Sequence, residues 1–129
     1  NMTFTGYLKG VELAEIYSPT DLFIFPSPTQ TFGNVVLEAL ASGTPVIGAN
    51  AGGVKNIISS GTNGYLCEPG NAEDFINHIV QLLGDDLSRA QMAINARKYA
   101  LSQKWDQIFE DVINQYSSVI NKPAKKIYA

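Results

Sequence analysis

The chain has 129 residues, 45% of them hydrophobic and 16% charged, with a formal net charge of −3. That is one globular domain or a large piece of one, long enough to bury a core and not disordered by composition. No run of about 18 apolar residues spans a bilayer as a helix, and residues 1 to 68 set Lys9 and Lys55 against Glu12, Glu15, Asp21, Glu38 and Glu68, which excludes a basic stripe for a nucleic-acid backbone.

In chain order, "NMTFTGYLKG" lacks a basic leader followed by an apolar stretch. It opens in a strand pattern, "MTFTG", without an initiating Met, so a piece cut from something longer is expected. "GVELAEIYSPT" spaces Val11, Leu13, Ala14 and Tyr17 for a helix that Pro19 ends. "DLFIFPS" is a continuous apolar run, the pattern of a strand buried on both faces of a parallel sheet. "GNVVLEALASG" gives Val35, Val36, Leu37, Leu40 and Ala41 a broad apolar face, with Gly43 at the stop.

"TPVIGA" restarts the strand pattern, "GGVKNIISSG" reads as a short helix, and "GYLCEP" as another strand. The lone Cys67 reads there as a small core residue of a reduced, cytoplasmic protein, unable to form an intrachain disulfide or a cysteine-based metal site. "NAEDFINHIVQLLGD" offers Asn71 as N-cap and acids Glu73 and Asp74 in the first turn; His78 falls at the boundary of its apolar face. Two more helices follow. One places Leu87, Met92, Ile94, Ala96 and Tyr99 along it; the other carries Trp105, Ile108, Phe109, Val112, Ile113 and Tyr116 at helical spacing, with Trp105 and Tyr116 as packing anchors. These two should cover a sheet face or dock on a partner domain. Lys122 to Lys126 read as part of a polar tail over 122–129.

Strands alternating with helices argue an α/β fold with a Rossmann-like, doubly wound, mostly parallel sheet. Such sheets bind ligands beyond the carboxyl ends of their strands, which directs attention to "SPTQTFGNVVLEA". The strand ends near Pro26 and the helix starts near Phe32 or Gly33, so first-turn N–H groups and the positive end of the helix dipole make a site suited to phosphate. Gly33 allows close approach to the backbone. Glu38, among Val36, Leu37, Ala39 and Leu40, either reaches solvent or meets a specific partner such as a ribose diol; Gln30 is a loop amide. No Ser-His-Asp set, no His or Cys pair at metal spacing and no phosphate loop of the G-x-x-x-x-G-K-[ST] type is present.

The run "DLFIFPSPTQTFGNVVLEALASGTPVIGANAGGVKNII", followed by "GTNGYLCEPGNAEDF", resembles the nucleotide-sugar-binding half of retaining GT-B glycosyltransferases of group 1, the GT4 family. The likeness runs from "FTGYL" to "KWDQIFEDVINQY", several blocks in the same order. It implies two Rossmann-like domains facing across a cleft, with most of the C-terminal one supplied by residues 1–121. The N-terminal domain, the first strand-helix units of this domain and the basic pair that grips the diphosphate would lie upstream.

The resemblance assigns roles residue by residue. Glu38 matches the Glu that binds the ribose hydroxyls. Backbone N–H groups of Phe32, Gly33, Asn34 and Val35 match those meeting the donor sugar and diphosphate, and the backbone of Leu8 matches a nucleobase contact. Gln30 stands where the family has a second Glu, which contacts the sugar and places negative charge near the anomeric carbon. Gln30 keeps an acceptor but no charge, a loss of roughly 10²–10³ in rate if that charge is a preorganised catalytic group. Asn56 likewise replaces an acid of the common pattern.

The expected function is transfer of a sugar, with retention, from a UDP- or GDP-sugar to a saccharide or lipid acceptor, with no metal or other cofactor and no nucleic acid. A catalytically dead nucleotide-sugar binding module is the alternative, motivated by Gln30; a nucleotide-sugar 2-epimerase on the same plan fits the "FGNVVLEA" block less well. Loss of the first strand-helix units would turn a central strand into an edge, a template for a truncation-driven dimer.

Overall fold

The computed structural model describes residues 2–29, 31 and 33–120. Helix α1 (Gly10–Tyr17), strand β1 (Phe23–Phe25), helix α2 (Asn34–Ala41), strand β2 (Val46–Ala49), a 3₁₀ turn (Val54–Asn56), strand β3 (Gly64–Cys67) and helices α3 (Ala72–Leu83), α4 (Asp86–Ser102) and α5 (Trp105–Ile120) follow in order. The sheet runs β1-β2-β3, all parallel, with Ile24 opposite Ile47 and Ile47 opposite Tyr65. Among the described residues, no helix is long and apolar enough to cross a membrane.

β2 has a neighbour on each side and is buried at all four residues. Its alternating side chains feed two cores. Val46 joins Val36, Ala39, Leu40, Val54 and Ile57 on one face, and Ile47 and Ala49 join Cys67, Phe75 and Leu82 on the other. Helices thus cover both faces, the doubly wound Rossmann-like arrangement expected. α4 closes the two layers together, sending Ala96 into the first core and Met92 into the second. Leu87 and Ile94 of the same helix are exposed; the face around Met92 and Ala96, four residues apart, is the one that packs.

Local signals account for the helix ends. The Asn71 side chain accepts a hydrogen bond from the Asp74 N–H at 3.2 Å, capping α3 as anticipated. After α2, Gly43 takes a left-handed φ of 79°, the conformation a glycine stop supplies at little cost.

Three expectations need correction, for reasons beyond local sequence. Residues 2–6 form no strand: a strand exists only in a ladder, and Met2 and Phe4 lie exposed instead. β1 has the apolar run of a doubly buried strand, yet it pairs on one side only among the described residues and Ile24 is 43% exposed. The short helix expected between Gly53 and Gly61 is present as a single 3₁₀ turn over Val54–Asn56. Finally, of the two expectations for α5, covering the sheet or docking on a partner domain, its described side chains do not meet the first: Val112, Ile113 and Tyr116 are exposed, so Tyr116 is not a packing anchor within the described residues. The Trp105 side chain and the tail over 122–129 lie outside the described residues.

Candidate functional site: a cleft at the mouth of helix α2

Gly33 positions the site. It holds φ 67° and ψ 30° in the left-handed region, is buried, and its carbonyl accepts the N–H groups of Val36 at 2.9 Å and Leu37 at 3.1 Å. The N–H groups of Asn34 and Val35, in the first turn of α2, are therefore ones the helix cannot satisfy. A Cβ on Gly33 would lie 2.8 Å from Ile57 Cδ1. The glycine is thus demanded by conformation and by packing against the 3₁₀ segment, in addition to any approach of a ligand.

Beside this helix start opens a cleft of about 790 Å³. One wall is the segment Thr5–Lys9 with the start of α1, the other is α2, and between them lie Tyr17 and Phe23, whose rings meet edge to face at 5.5 Å. Leu8, Val35 and Glu38 all line it. Three of the residues singled out in the sequence thus come together from two segments far apart in the chain. Glu38 is exposed and also lines the cleft, so the solvent-facing alternative for its side chain and the partner-facing one are compatible. Burial, then the negative charge of Glu38, raises the Tyr17 hydroxyl above the ordinary tyrosine value, so Tyr17 stays a neutral hydroxyl there.

Gly33 and Asn34 stand at the start of α2, Gly33 as N-cap, but neither is among the residues that line the cleft. Gln30 and Phe32 lie outside the described residues. Sequence reasoning passed over Lys9 and Tyr7, which line the cleft with the Lys9 Nζ 5.2 Å from the Tyr7 ring centroid. The available signal was that Lys9 is one of only two cations in the first 68 residues.

The match to known proteins fits this geometry. Residues 1–99 match the model of the glycosyl transferases group 1 family. The chain belongs to that family. It is 40% identical over 121 residues to a sulfoquinovosyl transferase of Arabidopsis thaliana, covering 91% of this chain and 24% of the relative. A GDP-mannose-dependent alpha-mannosyltransferase of Corynebacterium glutamicum is 33% identical over 117 residues, covering 91% and 28%. Among solved structures, Anabaena HepE in complex with UDP-glucose superposes with a TM-score of 0.71 at 28% identity, over 84% of this chain and 30% of that one. The group 1 chain described here therefore spans about a quarter to a third of the length of such relatives, and its α/β layers are those of a partial GT-B domain.

Away from the cleft, Cys67, Asp74 and His78 gather at the end of β3 and the start of α3. Cys67 is buried, as its sequence context predicts, and burial followed by the charge of Asp74 pushes its thiol up to about 11.

Proposed function

We propose that this group 1 chain is the donor-binding part of a retaining GT4 glycosyltransferase, which holds a UDP- or GDP-sugar in the cleft and works with an N-terminal domain carrying a saccharide or lipid acceptor. The observation that carries the reading is the convergence of Leu8, Val35 and Glu38 on one cleft beside the start of α2.

In this reading the nucleobase lies along the Leu8 backbone, and the ribose diol donates hydrogen bonds to the Glu38 carboxylate. The diphosphate meets the first-turn N–H groups of Asn34 and Val35, where the helix dipole favours negative charge, together with the backbone N–H groups of Phe32 and Gly33, which precede them in the sequence. Gln30 orients a hydroxyl of the transferred sugar. Retention needs no protein nucleophile: the departing phosphate takes the acceptor's proton on the same face, and the protein supplies orientation and charge stabilisation. No metal or other cofactor enters that scheme. The setting is cytoplasmic, at the membrane surface where the acceptor is a lipid.

The relatives support both bases, since HepE is complexed with UDP-glucose and the mannosyltransferase depends on GDP-mannose. Calorimetry of the chain with UDP, GDP, UDP-glucose and GDP-mannose tests the reading. Binding of one base family is expected, and failure to bind any of them at millimolar level overturns it. Gln30, standing where the family pattern has a Glu, favours one other reading, a non-catalytic nucleotide-sugar module. Turnover by the full-length protein separates the two: activity that rises in Gln30→Glu fits the enzyme, whereas donor binding without turnover in either form fits the module.

A further inference from the structure

We propose that Cys67, Asp74 and His78 form a binding site for a divalent cation of the zinc type, which ties the end of β3 to α3. Asp74 and His78 are four residues apart on α3 and so share a face. Cys67 is the last residue of β3 and packs toward the same helix, in a core with Phe75 and Leu82. One ligand atom from each of the three lies within 4.8 Å of the others. In a tetrahedral site with bonds of about 2.0–2.3 Å the ligand atoms sit roughly 3.3–3.8 Å apart, so side-chain movements of about 1 Å close the set.

The surroundings hold these groups in place. The Asp74 Oδ2 accepts the Glu68 N–H at 2.8 Å, which leaves Oδ1 turned to His78, 3.6 Å from its Nε2. The imidazole is stacked on the Tyr65 ring with centroids 4.2 Å apart and planes 14° apart, and Gln81 donates to the Tyr65 hydroxyl at 3.4 Å. Such supporting contacts around ligands are what fix a metal site.

The same imidazole also carries an unpartnered atom, on the ring nitrogen other than the one that faces Asp74. The Nδ1 of His78 is buried and, among the described residues, has no hydrogen-bond partner, although the side chain as a whole keeps 26% of its surface exposed. Buried polar atoms are seldom left so. A sulfur, a nitrogen and a carboxylate oxygen are a donor set for zinc rather than for magnesium or calcium, which take oxygen. Three protein ligands leave the fourth position to water. On binding, the Cys67 S–H bond breaks, the proton passes to solvent, and the sulfur–metal bond forms. None of the three residues lines the cleft, so the cation acts on the stability of this corner and not on the donor. A site of this kind departs from the expectation that the lone Cys67 holds no metal.

The test uses the 129-residue chain stripped of metal with a chelator, then titrated with Zn(II) and Co(II). Expected are one metal per chain, a tetrahedral Co(II) spectrum with a sulfur-to-metal charge-transfer band, and a thermal midpoint that rises with Zn(II). Cys67→Ser should abolish the charge-transfer band. His78→Gln, at a partly exposed position and checked for native circular dichroism, should weaken Zn(II) at least tenfold and remove the thermal gain. A wild-type Co(II) chain without the charge-transfer band overturns the proposal, as does Zn(II) affinity unchanged in His78→Gln.

Discussion

Substitution of Gly33 by Ala attacks the point from which α2 and its free N–H groups are set. A residue with a Cβ at φ 67° pays about 1–2 kcal/mol for the left-handed conformation. The new Cβ also meets Ile57 Cδ1 at 2.8 Å. That atom is the end of a flexible side chain, so it moves aside at the lower end of the overpacking range, about 1 kcal/mol. Gly33→Ala should therefore cost about 2–3 kcal/mol in urea denaturation followed by far-ultraviolet circular dichroism, and lower the thermal midpoint by roughly 10 °C for a domain of this size. Ile57→Val deletes the clashing Cδ1 and alone costs about 0.5–1.5 kcal/mol. In the double variant the loss should fall short of the sum by about 1 kcal/mol, because only the conformational part remains. A Gly33→Ala cost below about 0.5 kcal/mol, or strict additivity in the cycle, refutes this account of Gly33.

Loss of the α3 cap in Asn71→Ala should cost about 1 kcal/mol by urea denaturation, and a cost near zero would mean that the Asp74 N–H bond contributes nothing. Because the Tyr17 pKa is raised in the fold, its contribution to stability is complete below the ordinary tyrosine value of about 10 and is lost as pH rises through the folded value. Glu38→Gln removes the second cause but not burial, so the Tyr17 ring resonance followed by ¹³C NMR should titrate at lower pH than in the wild type yet still above 10; an unmoved Tyr17 would place Glu38 elsewhere. The one-sided pairing of β1 and the 43% exposure of Ile24 predict concentration-dependent dimers in light scattering, suppressed by Ile24→Lys; a monomer at all concentrations refutes edge pairing.

The parts of the fold that could be read in advance are those fixed by neighbours in sequence. The Asn71 cap, the Gly43 stop and the fully buried "VIGA" strand each depend on a short stretch whose chemistry is complete in itself. The parts that could not be read depend on what lies across space. "MTFTG" has a strand composition but no ladder to join, and β1 carries the sequence of a central strand while one of its edges meets no strand among the described residues. For Gly33, the spacing announced a helix start but not that Ile57 would press against it.

The site divides in the same way. A helix N-terminus after a strand pointed to anions without further knowledge, but only the family resemblance singled out Leu8, which the fold brings to the cleft that Glu38 lines. Lys9 and Tyr7 were missed because nothing in their spacing marks a wall of a cleft. The Asp74–His78 pair was legible as a helical spacing; its meeting with Cys67 was not, since that requires the register of β3 against α3.

The most direct measurement compares UDP with 2′,3′-dideoxy-UDP, or the GDP pair if guanine is the base preferred, by titration calorimetry on wild type and Glu38→Gln. Hydrogen bonds to a charged acceptor contribute about 1.5–3 kcal/mol each, so the wild type should bind the intact ribose at least tenfold more tightly, and Glu38→Gln should lose most of that preference. Equal affinity of the wild type for both nucleotides, or a preference that survives unchanged in Glu38→Gln, would contradict the assignment of this cleft as the donor site.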